Sequence, residues 1–253
     1  MTETLIEAEV RGVPRPDISH LTTEDDTPVD NLFSERQMRL LTDSLYTSWV
    51  GPGEGRTFVA MANVGLFFAP HEDALVPDVL VSLDVKLPSD VWLKHNRSYF
   101  IWEYTKPPDV VIEIVSNRKG KELSEKLTDY GRLGIAYYVV YDPEQQISSQ
   151  PLHVYERRRT TYSEAPEAWL DDLRLGLTLW QGNYEGIDAI WLRWCDQNDQ
   201  ILLTGEEAAR QERQRAEQER QRADQQQQRA EQEQQRAERL AAQLRTLGIE
   251  PEL

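Results

Sequence analysis

The chain has 253 residues, a modest hydrophobic share of 39% and a formal net charge of −16, enough length for one substantial α/β domain with an appendage or for two small domains. Apolar runs such as Val64-Gly65-Leu66-Phe67-Phe68 are far too short to span a bilayer, and Met1-Thr2-Glu3-Thr4 lacks the basic region and apolar core of a signal peptide, so a cytoplasmic protein with no membrane partner is expected. One cysteine, Cys195, excludes an internal disulfide and a cysteine zinc cage, and the acidity argues against a general nucleic-acid-binding module, whose affinity draws on clustered Lys and Arg.

The charge is unevenly spread. Residues 1–30 carry 8 acids and 2 bases, residues 205–253 carry 11 acids and 9 bases, and the middle is left with −8. An enzyme whose cleft is offset by metal ions and a local basic rim is still compatible with such a field.

Residues 1–30 are acidic and dotted with proline, and read as a loose lead-in. Ser34 to Trp49 has a helical stripe of Phe33, Met38, Leu40, Leu41, Leu45 and Trp49, with Ser34 as cap and Gln37 three residues on. Pro52-Gly53-Glu54-Gly55 is a turn. Thr57 to Ala62 and Val64 to Ala69 read as strands of a hairpin, and Leu75 to Leu83 as a strand carrying Asp78. Residues 84–107 form a long connection with Trp92, Tyr99 and Trp102, read as part β-ribbon.

Asp109 to Ser116 is so rich in β-branched residues that it reads as a buried strand. Lys119 to Leu133 is a helix ended by Gly134, and Ala136 to Tyr141 a strand stopped by Asp142-Pro143. Short strands follow at Leu152–Tyr155, Leu175–Gln181, Asp188–Trp194 and Gln200–Leu203, the last of them a meander. From Thr204-Gly205-Glu206-Glu207, a capping-box pattern, the chain runs in seven-residue units: QERQRAE, QERQRAD, QQQQRAE, QEQQRAE and then RLAAQLR. Each unit offers one small alanine where a stable coiled-coil seam wants two large apolar residues, so a single exposed helix and a weak alanine-seamed self-association both remain open. The firmer apolar patch is Leu240, Leu244 and Leu247. The repeat suits a spacer or an arm for a homodimer or higher homo-oligomer, and carries no catalytic chemistry.

A carboxylate inside a buried strand is costly unless it is paired, so Glu113 is a structural ion-pair partner or a site residue. Asp109 shares its strand face, but four residues at ~3.3 Å each put the α-carbons ~13 Å apart, too far to clasp one ion. Asp78 lies in another strand, and if the two strands pair, the side chains meet across ~5 Å. Asp78 with Glu113 is then the metal pair, Asp109 opens the strand after Pro107-Pro108, and Glu103 is a weaker competitor. On the following helix Leu123, Leu127, Tyr130 and Leu133 mark the apolar face. Lys126 falls within that stripe, while Lys121 and Arg132 point to the opposite side. Lys119 has a similar phase to Lys126 but sits at the helix start. Two carboxylates and one ammonium on a sheet edge suit metal-dependent phosphodiester cleavage, with Mg²⁺ or Mn²⁺ on the carboxylates activating water and the lysine stabilising the transition state.

The segments Leu75-Val76-Pro77-Asp78-Val79, Pro107-Pro108-Asp109-Val110-Val111-Ile112-Glu113-Ile114-Val115-Ser116, Lys126-Leu127-x-x-Tyr130 and Gly134-x-x-Tyr137-Tyr138-Val139-Val140-x-Asp142-Pro143 resemble the Uma-type family of putative restriction endonucleases, of the PD-(D/E)XK nuclease superfamily. The resemblance runs from Thr57 to Tyr155. It implies an α/β (α+β) fold with a restriction-endonuclease-like core, a mixed β-sheet flanked by helices, and metal binding at Asp78 and Glu113. The superfamily lysine would fall at position 115, which is Val115 here; in the Uma-type family it is supplied from the following helix, which matches Lys126. The organisation expected is a lead-in over 1–30, a nuclease-like domain over 31–203, a heptad-repeat helix over 204–247 and a short end over 248–253. The helical tail and residues 84–107 are additions to the family pattern.

Plainer roles stand beside these. Asp78 fits a strand-end aspartate after proline, and Glu113 with Lys126 fits a buried salt bridge. Ser116 fits a turn cap, and Tyr130 core packing or a hydrogen bond to the site. His71, His95 and His153 have no ligand spacing, and Glu35 on the first helix is a further carboxylate to weigh. The leading expectation is a Mg²⁺- or Mn²⁺-dependent endonuclease acting on DNA through Asp78, Glu113 and Lys126. The alternative is a catalytically silent nuclease-fold platform that assembles through its helical tail.

Overall fold

Runs of Val, Ile, Leu and Tyr too continuous to alternate with polar residues build the centre of the protein, as strands covered on both faces must. The computed structural model describes residues 16–21, 31–53, 55–117 and 121–246. Most of the 1–30 lead-in, Glu54, Lys119, Leu247, the side chain of Leu244 and the 248–253 end lie outside the described residues.

The central sheet has six strands: β1 (Phe58–Ala62), β3 (Val79–Leu83), β5 (Val110–Ile114), β6 (Tyr137–Tyr141), β7 (Leu152–Arg158) and β8 (Thr161–Glu164), in that order across the sheet. Only β5 and β6 run parallel; every other neighbouring pair is antiparallel. A parallel pair needs a crossover, here supplied by a π-turn (Glu122–Lys126) and the helix α3 (Leu127–Leu133). Gly134 ends α3 in the left-handed region at φ 86°, where a side chain would be strained.

Side chains of these strands alternate between two cores. One face carries Val79, Val81, Val110, Ile112, Val139 and Tyr141 against Met38, Leu41 and Leu45 of α1 (Leu32–Ser48), and against a second sheet of β9 (Trp169–Leu170), β10 (Leu175–Tyr184) and β11 (Ile187–Cys195). The other face carries Leu80, Val111, Tyr138 and Val140 against Tyr130, Ile135, Leu66 and Tyr99. Glu113, two residues beyond Val111, belongs to this second face.

Helix α1 is tied to β11, an edge strand, by an amide that mimics a neighbouring peptide. The Gln37 Nε2 donates to the Leu192 carbonyl at 2.8 Å, and the Leu192 N–H donates to Gln37 Oε1 at 2.9 Å. The Trp194 indole N–H adds a bond to the Leu41 carbonyl at 3.1 Å. An edge that would otherwise present bare backbone groups is closed in this way.

The expected mixed sheet flanked by helices is present, and so is the long C-terminal helix. Several local expectations need correction. The cap of α1 is Asn31, whose side chain accepts from the Ser34 N–H; Ser34 lies inside the helix, and Gln37 serves β11 instead of a capping box. β1 and β2 (Leu66–Phe67) form no hairpin, because β2 pairs in parallel with β4 (Tyr99–Phe100) from the long connection. That connection holds a 3₁₀ turn (Lys94–Asn96), β4 and the short helix α2 (Ile101–Tyr104), and leaves Trp92 at its surface. Gln200–Leu203 contributes one isolated bridge, Ile201 with Cys195, in place of a strand.

The chain divides into two units, Met1–Thr204 and Gly205–Leu253. The second contains α4 (Gly205–Thr246), a 42-residue helix with exposed side chains along the heptad units. Its polar surface is laced by pairs four residues apart, such as Gln221 to Glu217 and Gln234 to Glu238. Among the described residues no helix is long and apolar enough to cross a membrane.

Two tests follow from this packing. Gln37→Ala strips both partners from the buried Leu192 peptide, and should lower the unfolding free energy by roughly 2–4 kcal/mol in a urea titration; a change below ~0.5 kcal/mol would refute the edge-closing role. Burial pushes the Tyr137 hydroxyl up to about 12 and raises Tyr99, Tyr138, Tyr141 and Tyr162 as well. The unfolded chain gives up these protons near pH ~10 while the folded protein keeps them, so this stability is whole below pH ~10 and drains away as pH rises to ~12. Melting temperatures by circular dichroism should be level from pH ~8 to ~9.5 and then drop steeply; a level profile through pH ~12 would contradict the assignment.

Candidate active site

The candidate site lies at the end of the central sheet where the parallel strands β5 and β6 finish, the usual place for a crevice in such sheets. β3 and β5 pair antiparallel with Val79 opposite Ile112. One step further along the same register, Asp78 stands opposite Glu113. The Asp78 Oδ2 accepts the Ile114 N–H at 2.6 Å, which holds the carboxylate against the end of β5. The Asp78 carbonyl in turn accepts the Asn63 N–H at 3.0 Å, just beyond β1.

Glu113 is 2% exposed. Its Oε1 accepts the Tyr130 hydroxyl at 2.6 Å and its Oε2 accepts the Lys126 ammonium at 2.8 Å. Lys126 also lies 3.4 Å from the Glu122 Oε1. The π-turn that carries these residues is closed by the Lys126 N–H bonding the Lys121 carbonyl at 3.1 Å, a local widening that recurs at functional sites. Leu123, Leu127, Tyr130 and Leu133 anchor the turn and α3 on the second core. That packing turns Lys126 towards β5, while Lys121 pairs with Glu125 in solvent.

The electrostatics follow from burial and crowding. Burial pushes the Glu113 carboxyl above its ordinary value, against the pull of the Lys126 ammonium and the Tyr130 hydroxyl. Burial also disfavours the charged Lys126, but the carboxylates of Glu113, Glu122 and Asp78 outweigh it and hold the ammonium above the usual lysine value. Tyr130 is raised well above an ordinary tyrosine by burial and then by Glu113, so it stays a protonated donor.

Other residues singled out in the sequence lie elsewhere. Asp109 opens β5 at the far end, where its Oδ2 accepts the Leu83 N–H at 2.7 Å and pairs with Lys106. Glu35 sits on α1 and pairs with Arg36 at 2.6 Å. Glu103 is on α2. Ser116 takes a bond from the Asn117 side chain. His71 stacks on His20, and His95 lies in the 3₁₀ turn. His153 bridges Ser148 and Glu164. Tyr130 fills both of the roles its sequence position allows, as core residue and as hydrogen-bond donor. Glu122 is not among the candidates the sequence offers, although its spacing of four residues from Lys126 sets both on one helix face.

Hard oxygen donors are what Mg²⁺ or Mn²⁺ prefers, and the residues here suit such an ion in kind and charge. The Glu122 Oε2 is shielded from solvent and has no hydrogen-bond partner among the described residues, so an oxygen is left for a ligand to satisfy. Among the described residues no three His, Cys, Asp or Glu side chains are grouped to hold a cation as they stand; the Lys126 ammonium occupies the space between Glu113 and Glu122.

The pair invites a double-mutant cycle. Lys126→Met strands a buried carboxylate and should cost about 3 kcal/mol, toward the low end for a buried pair because a third of the lysine side chain is exposed. Adding Glu113→Gln should return most of that loss. Equal, additive losses in denaturant titrations would show that the two side chains are not coupled.

A family model described as Uma2, Putative restriction endonuclease, matches residues 11–180. No curated protein matches the chain. Among solved structures, a crystal structure described as a putative nuclease from Anabaena variabilis is 15% identical, with a TM-score of 0.32 over 59% of this chain and 75% of that one. The family match takes in more than half of the chain, with Asp78, Glu113, Lys126 and Tyr130 inside it, and the protein belongs to the Uma2 family of putative restriction endonucleases.

Proposed function

We propose that the protein is a metal-dependent endonuclease that hydrolyses DNA phosphodiester bonds, with Asp78 and Glu113 holding Mg²⁺ or Mn²⁺ and Lys126 stabilising the transition state. The observation that carries this reading is that the Asp78 carboxylate is held on the Ile114 N–H at the end of β5 while Lys126 reaches Glu113 from the crossover. Family membership supplies the reaction class. A bound divalent cation would polarise the phosphate and lower the pKa of a water.

The chain's own groups do the positioning. Tyr130 donates to the Glu113 Oε1 and leaves the second oxygen in a fixed direction. The Ile114 N–H does the same for Asp78. Lys126 keeps its proton at neutral pH, and its partly exposed ammonium can leave the carboxylates to donate to a phosphate oxygen as negative charge grows there. The acidity of the chain does not help a polyanion approach, so the reading predicts steep loss of binding with added salt only if basic residues near the site contact phosphate.

The test is cleavage of duplex and single-stranded DNA with Mn²⁺. Asp78→Asn, Glu113→Gln and Lys126→Met should each slow cleavage by roughly 100-fold or more while the protein stays folded. Cleavage by Glu113→Gln at the wild-type rate would overturn the assignment. A folded wild type that neither binds a divalent cation nor cuts DNA would point to the silent platform that assembles through α4.

A further inference from the structure

Glu122 has a setting unlike that of the neighbouring acid on the same turn. Glu125 pairs with Lys121 at the same four-residue spacing and both are well exposed, as a solvated helix pair should be. Glu122 is only 7% exposed. Its position is fixed from beneath, because the buried Tyr138 hydroxyl donates to its backbone carbonyl at 2.9 Å. One carboxylate oxygen lies 3.4 Å from Lys126, and the other is solvent-shielded with no partner among the described residues.

An unsatisfied buried carboxylate oxygen is rare because no desolvation cost is repaid. Glu113 has a donor on each oxygen and the Asp78 Oδ2 has the Ile114 N–H, whereas the unpartnered oxygen belongs to Glu122. Among the described residues, the carboxylates of Glu113, Glu122 and Asp78 all act on the Lys126 ammonium. Left to ordinary packing, Glu122 would be replaced by an apolar residue at little cost.

We propose that Glu122 is a third ligand of the divalent-cation site and that Lys126 holds the place of the cation until one binds. The inference rests on the reading of Asp78 and Glu113 as ligands and adds a residue to it. With Lys126 displaced towards the phosphate, Glu113 and Glu122 each free an oxygen on the side where the ammonium now lies. The orphaned Oε2 then gains the partner it lacks. The placeholder also accounts for the carboxylates not being grouped around a common point, since an ammonium is satisfied by separate hydrogen bonds where a metal draws its ligands together.

Mn²⁺ binding, read by calorimetry and by the electron paramagnetic resonance of free Mn²⁺, tests this without any nucleic acid. Glu122→Gln, which keeps the shape, should weaken Mn²⁺ binding by roughly 10- to 100-fold. Glu122→Asp, which keeps the charge, should bind more tightly than Glu122→Gln, and the exposed control Glu125→Gln should match the wild type. Lys126→Met should bind Mn²⁺ more tightly than the wild type and gain more melting temperature on its addition. Wild-type affinity in Glu122→Gln, with binding lost in Asp78→Asn, would overturn the role of Glu122 and leave the Asp78–Glu113 reading standing. No Mn²⁺ binding by the wild type would overturn both.

Discussion

A carboxylate in the middle of the sheet governs how this protein is put together. Glu113 sits on β5, between β3 and β6, where an ionised side chain costs several kcal/mol unless charge and hydrogen bonds surround it. Lys126 and Tyr130 meet that need from one element, the crossover between the parallel strands. The requirement therefore orients the crossover as well as the site. It also fixes the strand register, because a slip of one residue would carry Glu113 to the opposite face, among Met38, Leu41 and Leu45 of α1.

The two faces of the sheet divide the work accordingly. The α1 face is sealed by apolar side chains and by Gln37, whose amide completes the edge of β11. The α3 face mixes apolar packing with tyrosine hydroxyls, several of which bond to the site and its surroundings: Tyr130 with Glu113, Tyr138 with the Glu122 carbonyl, Tyr162 with the Ile135 carbonyl. Tyrosine suits this face because its ring fills the core while its hydroxyl serves a polar group at the ring's far end. The charged site is thereby set into a core with most of its polar atoms satisfied; among the described residues the Glu122 Oε2 and the Tyr104 hydroxyl are the exceptions on this face.

What was legible in the sequence was what depends on short-range periodicity. The β-branched run around Glu113 announces a strand covered on both faces, and the phase of Leu123, Leu127 and Tyr130 turns Lys126 inward. What was not legible depends on partners distant in sequence. Leu66–Phe67 looks like half of a hairpin, yet its partner is Tyr99–Phe100, and no local pattern records that choice. Ser34 and Asn31 are both good caps, and which one serves is decided by where α1 must begin to bring Gln37 to Leu192. Glu122 resembles any exposed helix glutamate until the π-turn is laid on Tyr138. The placement of Glu113 and Lys126, which lie on regular elements, was thus readable, whereas that of Glu122 is set by tertiary packing and was not.

The cost of the Glu113–Lys126–Glu122 group is itself informative. Replacing buried ion pairs by apolar residues of similar volume is often neutral or stabilising, and the surrounding core, with Leu80, Val111, Tyr130 and Tyr138, would accept a leucine or methionine readily. Plain stability therefore gives no reason to bury the Glu122 carboxylate with an oxygen that has no donor among the described residues. On the proposal that the group exchanges its ammonium for an external cation, an oxygen held without a donor is what the incoming ion would use. That orphaned oxygen is the point at which a mutation that stabilises the fold would be expected to remove the proposed chemistry.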